Sequence, residues 1–175
     1  MSVILDLMEY ASNNDVQSAY VSSNGANIIT SNADFETWAA GDTSNPTDWL
    51  TYGAGLSIAK ESSIIWGGLY SAKLTRGGTD CSLYRSCLNG QTGAWWEGKT
   101  LTVGAWCYAT VANRVRVLIG DDTDNYYGSY HTGDSTWQYL TVSRTFPSGL
   151  TAINGGCRVS DGDTSGYFDS FTAVQ

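Results

Sequence analysis

From residue 28 onward, short stretches of the chain alternate apolar and polar residues with a period of two, and Gly, Asn, Asp and Ser cluster between them. Alternation of this kind is typical of half-buried β-strands, and the breaks are typical of turns. No long amphipathic helix and no fixed repeat interrupts the pattern. Short strands without helices between them indicate an antiparallel β-sandwich. The predicted strands are 28–31, 33–38, 56–60, 69–75, 81–85, 100–109, 114–120, 126–131, 136–145, 151–159 and 166–174.

Length and charge narrow the class of partner. A chain of 175 residues fits one domain with a sizeable core. Its net charge of −8 argues against nucleic acid, because few basic groups are available to neutralise phosphates. No apolar run approaches the ~20 residues of a membrane-spanning helix. We therefore expect a protein without a membrane span whose ligand is not a nucleic acid.

Two strings at opposite ends of the pattern each place an aromatic residue beside a carboxylate: N-A-D-F-E, which ends at Glu36, and Y-F-D-S-F, which contains Asp169. The first and last strands of a sandwich often adjoin, so the two carboxylates could meet. Buried together they would repel each other unless a cation lies between them, and oxygen ligands favour Ca²⁺. Asp34 is a further candidate ligand. The alternative is an ordinary salt bridge from Glu36 to Lys73 or Arg76.

A third string, G-L-Y-S-A-K-L, lies between these two at residues 68–74. Together the three strings resemble a pattern found in jelly-roll carbohydrate-binding modules of the galactose-binding-like superfamily. In order, the parts of that pattern are N-G-x-F-E, G-x-Y-S-A-x-L and Y-F-D-x-hydrophobic. The resemblance extends over roughly residues 28–174. It implies an all-β, antiparallel jelly-roll sandwich for residues 28–175. It also implies that the outer face of one curved sheet forms a sugar cleft.

Parity within two predicted strands selects candidate sugar-binding side chains. Small apolar residues fill the odd positions of 101–109, which leaves Trp106 and Tyr108 on the other side. Arg116 alternates with valines in the next strand, and would share that face if the two strands pair through residues 111–113. Aromatic rings stack on the CH faces of sugars, and planar polar groups bind their hydroxyls. Further candidates on predicted loops are Trp95, Trp96 and Tyr127; of the adjacent tryptophans, one should be exposed or packed on a partner.

Other tryptophans and the cysteines are interpreted as structural. Trp49 and Trp137 are expected in the core. Cys107 and Cys157 fall on apolar positions and are read as small core residues. Cys81 and Cys87 could form a disulfide only around a turn at 85–86, so reduced thiols are favoured.

Catalysis has little support in the sequence. There is no G-x-S-x-G motif, no glycine-rich phosphate loop and no H-E-x-x-H motif, and the chain has a single histidine. The acidic string 161–166 resembles the start of a calcium loop of the EF-hand type but lacks its terminal glutamate, and is read as a turn. We expect a protein that is not an enzyme.

Residues 1–27 differ from the rest and are predicted to form an N-terminal arm with a capped helical turn. The arm carries Leu5, Leu7, Met8, Val16 and Tyr20, too many apolar residues for a solvated tail and too few for a core. It resembles segments that precede such modules in tailed-phage virion proteins, and it lacks the pattern of a secretory signal. These features favour a phage decoration or tail-fibre protein on the virion surface. We expect it to be a homo-oligomer that docks to other virion subunits through the arm and binds host or environmental glycans. The alternative is an extracellular carbohydrate-binding module of a polysaccharide-degrading enzyme.

Overall fold

The computed structural model of the protein describes residues 26–175, so the predicted arm at 1–27 lies almost wholly outside the described residues. Within these residues, ten strands and one four-residue helix follow each other. Their bounds are β1 Leu50–Tyr52, β2 Ser57–Glu61, β3 Ser71–Thr75, β4 Cys81–Ser86, α1 Gly93–Trp96, β5 Thr100–Tyr108, β6 Val115–Asp121, β7 Asn125–Tyr127, β8 Trp137–Thr145, β9 Ile153–Val159 and β10 Ser165–Val174. No helix within this part of the chain is long and apolar enough to cross a membrane.

The strands form two five-stranded antiparallel sheets that pack face to face. The front sheet has the order β1-β4-β9-β6-β7, and the back sheet has the order β2-β3-β10-β5-β8. Alternate residues of each strand point into the space between the sheets, as the period of two predicts. In β5, for example, Leu101, Val103, Ala105 and Cys107 are fully buried. The predicted jelly-roll sandwich is confirmed.

Three details of the sequence interpretation are wrong. Residues 28–31 and 33–38 are not strands. Within the second segment Phe35 has a φ of 59°, which an extended strand does not accommodate. The three-residue β1 was not predicted at all. The chain also crosses from the back sheet to the front sheet between β5 and β6, so these two strands do not pair. Trp106 and Tyr108 therefore lie on the outer face of one sheet, and Arg116 lies on the outer face of the other.

The four cysteines are free and buried. Cys107 and Cys157 lie in the core as predicted. Cys81 begins the uninterrupted strand β4 and Cys87 directly follows it, so the turn that a bridge between them would need is not formed. Burial raises the pKa of the Cys81 thiol to about 11, so it stays protonated near neutral pH.

Candidate functional site

A cleft of about 240 Å³ lies on the outer face of the front sheet, which we call the front cleft. Residues from all five strands of the front sheet line it. A shallower depression adjoins the front cleft and shares Tyr52 and Arg158 with it. The other residues that line this depression are Gly53, Ala54, Thr79 and Asp80. The residues that line the front cleft are Tyr52, Ser82, Tyr84, Leu118, Gly120, Asp121, Asn125, Asn154 and Arg158.

The strand register fixes the floor of this cleft. Gly156 in β9 lies between Tyr84 of β4 and Leu118 of β6, which are its direct partners on either side. A Cβ atom at Gly156 would lie 2.5 Å from the carbonyl oxygen of Leu83, so only glycine fits. Because glycine has no side chain, none rises from the sheet between Tyr84 and Leu118, which both line the cleft. The result is a trough in the middle of the sheet.

Tyrosine rings and amides border the trough. Tyr84 and the 69 % exposed Tyr52 lie towards the β1 edge. Asn125 lies towards the β7 edge, and Asn154 belongs to β9. Tyrosines combine an apolar ring with a hydroxyl, and amides both donate and accept hydrogen bonds. This combination can bind a flat molecule that has CH faces and many hydroxyl groups.

Arg158 contributes a fixed cation at one side of the cleft. Its Nη2 donates to Asp80 Oδ2 at 2.9 Å, and its Nε donates to Ser160 Oγ at 3.2 Å. Burial alone would raise the pKa of Asp80, but hydrogen bonds from the Asp161 N–H and from Arg76 and Arg158 lower it overall. Asp80 therefore stays ionised near neutral pH and holds the Arg158 guanidinium in place.

Arg116 and Tyr127, two of the residues predicted to bind sugar, lie on this same face. Arg116 is directly opposite Arg158 in the register of β6 and β9. Its guanidinium carbon lies 3.7 Å from the ring centroid of Tyr127 and 4.3 Å from that of Tyr130. Tyr127 is the partner of Leu118 at the wall of the trough. The structure thus places these two residues beside the front cleft.

Trp106 and Tyr108 lie instead on the outer face of the back sheet, in a layer of aromatic rings. Trp66, from the loop before β3, stacks on Trp106 with centroids 3.6 Å apart and planes at 18°. Tyr108 meets Trp137 at 5.7 Å and Tyr167 at 5.5 Å. Trp137 is therefore part of this half-buried layer and not of the core, contrary to the sequence interpretation, whereas Trp49 is buried as expected. The rings of the back face largely pack on one another.

Two carboxylates hold the loop that covers this layer. Asp169 Oδ2 accepts the N–H groups of Trp66 and Gly67 at 2.9 and 3.1 Å. Glu36 Oε1 accepts those of Leu69 and Tyr70 at 2.9 and 3.1 Å. Gly68 stands between them with φ of +68°, and a Cβ atom there would lie 2.0 Å from Glu36 Oε1. The motifs at the two ends of the chain thus converge on the third motif, in the middle.

The geometry bears on the predicted calcium ligands. Burial is the main cause that raises the pKa of Asp169 to about 7, against the backbone hydrogen bonds, and the charge of Glu36 adds a little. A cation near both carboxylates would favour the ionised pair, so the charges fit an ion such as Ca²⁺. However, one oxygen of each carboxylate already accepts hydrogen bonds from two backbone N–H groups. Within residues 26–175 there is also no cluster of three side chains that could bind a metal, with or without Asp34. Calcium binding stays a prediction.

The salt bridges considered for Glu36 do not form. Arg76 pairs with Asp80 at 3.1 Å, and the Lys73 ammonium lies 5.5 Å from the ring centroid of Tyr167.

Trp95 and Trp96 belong to α1 and lie apart from the front cleft. Trp96 is 1 % exposed and packs edge-on against Phe146, so its ring faces are not available to a ligand. Trp95 is 39 % exposed, and the Lys99 ammonium lies 3.2 Å from its ring centroid. One tryptophan of the pair is exposed, as predicted.

The sequence interpretation missed most of the front cleft. Tyr52 lies on the unpredicted strand β1. Tyr84 and Arg158 lie on predicted strands, at positions that alternate with core residues, so parity could have selected them. Parity could not show that both point to the same face, because that depends on the pairing of β4 with β9.

Comparisons with known proteins agree with this architecture. No family model matches the chain, and no curated protein matches it. The CBM22-1 xylan-binding domain of Xyn10C from Paenibacillus barcinonensis is similar in structure, with a TM-score of 0.59 at 14 % identity over 81 % of this chain and 90 % of that one. TmCBM61, solved in complex with β-1,4-galactotriose, gives a TM-score of 0.55 at 16 % identity over 86 % of this chain and 99 % of that one.

A phage protein contains the same fold. The enzymatically active domain of tailspike protein 4 from bacteriophage CBA120 gives a TM-score of 0.55 at 10 % identity. The match covers 73 % of this chain but only 19 % of that one, so the fold is a small part of the tailspike. The chain thus has the jelly-roll β-sandwich fold of these carbohydrate-binding modules.

Proposed function

We propose that this protein is a non-catalytic carbohydrate-binding protein that holds a glycan across the front cleft. The observation that carries the proposal is the trough over Gly156, which tyrosines, amides and an arginine border. A sugar ring lying in the trough would stack on a tyrosine while its hydroxyls meet Asn125, Asn154 or Arg158. Ligand sites of this kind combine apolar surface with a few placed polar groups.

The front face is favoured over the back face because of what its aromatic groups already contact. A tryptophan can stack on a sugar only if one ring face is free, and the Trp106 ring already contacts two others, with centroid distances of 3.6 Å to Trp66 and 5.5 Å to Tyr139. The jelly-roll neighbours solved as a xylan-binding domain and with galactotriose support a glycan as the ligand class.

For the biological setting we propose a surface protein of a tailed-phage virion, a decoration or fibre-associated component that oligomerises through residues 1–27. The tailspike match supports a phage setting for the fold. The alternative is an extracellular module of a polysaccharide-degrading enzyme, which the match to the xylan-binding domain of Xyn10C supports. Immunogold labelling of phage particles would support the virion setting. Co-purification of the protein with secreted polysaccharide-degrading activity would support the alternative.

The binding proposal is tested by affinity electrophoresis of the full chain in gels that contain xylan, galactan, β-glucan or acidic polysaccharides. We expect retardation in at least one gel, and its loss in a Tyr84→Ala, Asn154→Ala double variant. Tyr167→Ala, which changes a tyrosine on the back sheet, is the matched control and should be retarded like the unmodified chain. Equal mobility of all three proteins in every gel would contradict carbohydrate binding at the front cleft.

A further inference from the structure

Arg116 differs from every other arginine of the chain, all six of which lie within the described residues. Arg76 and Arg158 pair with Asp80, Arg114 pairs with Asp161, and Arg144 pairs with Asp121. Arg85 donates to the carbonyl oxygen of Ser31 at 2.6 Å. The Arg116 side chain has neither an ion pair nor a hydrogen bond to any residue of 26–175, and its Nε is buried without a partner.

This lack of a partner is unexpected from charge alone. The chain carries 17 acidic residues against nine basic ones, so carboxylates are plentiful. The residue directly opposite Arg116 is nevertheless a second arginine, Arg158. Like charges at opposed positions destabilise a sheet, and a buried donor without an acceptor costs further free energy. The ring of Tyr127 compensates in part, since Arg116 and Arg158 lie 3.7 and 5.3 Å from its centroid.

We propose that Arg116 binds the carboxylate of an acidic sugar, so that the front cleft selects glycans that contain uronic acid residues. This inference rests on the function proposed above for the same cleft. A guanidinium binds a carboxylate through two parallel hydrogen bonds, and such planar, charge-assisted pairs are among the strongest that proteins make. The Arg158 guanidinium is held by Asp80, whereas no carboxylate of residues 26–175 holds Arg116, so Arg116 is the cation with its hydrogen-bond donors available to the ligand.

The position of Arg116 also fits this role. It is two residues from Leu118 on the same face of β6, and Leu118 borders the trough over Gly156. Successive outward residues of a strand are about 6.6 Å apart, roughly the length of one sugar ring with its substituents. A sugar that lies in the trough can therefore extend a carboxylate towards Arg116 while its ring stays beside Tyr84 or Leu118.

The test measures affinity for polygalacturonate, alginate and glucuronoxylan, each beside its carboxyl-reduced form, in which the uronate is converted to the neutral sugar. We expect at least one acidic polymer to bind about tenfold more tightly than its reduced form, the order of magnitude of one charge-assisted pair. Arg116→Gln should remove this preference, so that the acidic polymer and its reduced form bind with the same affinity. Arg114→Gln, which removes the same charge two residues away, should keep the preference.

The remaining outcomes separate this inference from the proposed function. Equal binding of acidic and reduced forms would overturn the inference and leave glycan binding intact. An acidic preference that survives Arg116→Gln would also overturn it. Binding of dextran sulfate, but of no uronate polymer, that is lost in Arg116→Gln would show a sulfate site in its place. Failure to bind any polymer, acidic or neutral, would instead count against the proposed function itself.

Discussion

The two outer faces of the sandwich differ in what their side chains already contact. The back face has the larger aromatic surface, but its rings pack on one another under a loop that two carboxylates hold. The front face has fewer rings, and it carries a cleft in which Gly156 places no side chain between Tyr84 and Leu118. Aromatic content alone therefore does not identify a binding face. The useful signal is an aromatic or polar group that has room for a ligand beside it.

The back face is expected to stabilise the fold. The largest effect that we predict is on the pH dependence of the free energy of unfolding, through Asp169. The pKa of Asp169 is raised from an ordinary 3.8 to about 7, so the folded protein binds this proton more tightly than the unfolded chain. The resulting stabilisation is present in full below about pH 4 and is lost as the pH rises through about 7. At about 1.4 kcal/mol per unit, the shift corresponds to an order of 4 kcal/mol.

Carboxylates with lowered pKa, such as that of Asp80, act in the opposite direction, so the measurement must be a difference between two proteins. Urea denaturation in chelator at several pH values should show the unmodified chain losing stability relative to Asp169→Asn between about pH 4 and pH 7. Parallel curves for the two proteins would mean that Asp169 is not held in a desolvated environment.

Removal of the Asp169 carboxylate should lower the free energy of unfolding by nearly as much as this pH effect. Asp169→Ala leaves the N–H groups of Trp66 and Gly67 without their acceptor, and we expect a loss of about 3 kcal/mol at pH 7. Asp169→Asn keeps an acceptor of the same size and should lose less. Asp163→Ala, at an exposed aspartate, is the control. A melting temperature of Asp169→Ala equal to that of the control would show that the loop does not depend on this contact.

Calcium binding would add to the stabilising role of the back face. An ion bound by Glu36 and Asp169 only in the folded state would stabilise the protein by about 2.7 kcal/mol at a hundredfold excess over Kd. Chelator should then lower Tm, and Glu36→Gln should abolish that response. An identical melting curve with calcium and with chelator would exclude the ion and leave the four backbone N–H groups as the partners of the two carboxylates.

Much of the fold could be predicted from the sequence, because alternation reports directly which side of a strand is buried. The β5 pattern correctly separated the core residues from Trp106 and Tyr108. The front cleft could not be predicted, because it depends on which strands pair. Arg116 and Trp106 both point away from the core, yet β5 and β6 belong to opposite sheets. The sequence shows the motif around Glu36 but predicts a strand where the structure has a left-handed turn at Phe35, because aromatic residues favour strands.

The most direct test of the contrast between the two faces is a calorimetric titration of one bound glycan into Tyr84→Ala and into Trp106→Ala, each confirmed as folded. We expect Tyr84→Ala to weaken binding by about tenfold, the equivalent of ~1.4 kcal/mol. Trp106→Ala should bind like the unmodified chain, because its ring lies under Trp66. The reverse result, with affinity lost in Trp106→Ala and kept in Tyr84→Ala, would place the glycan on the back face and contradict the account.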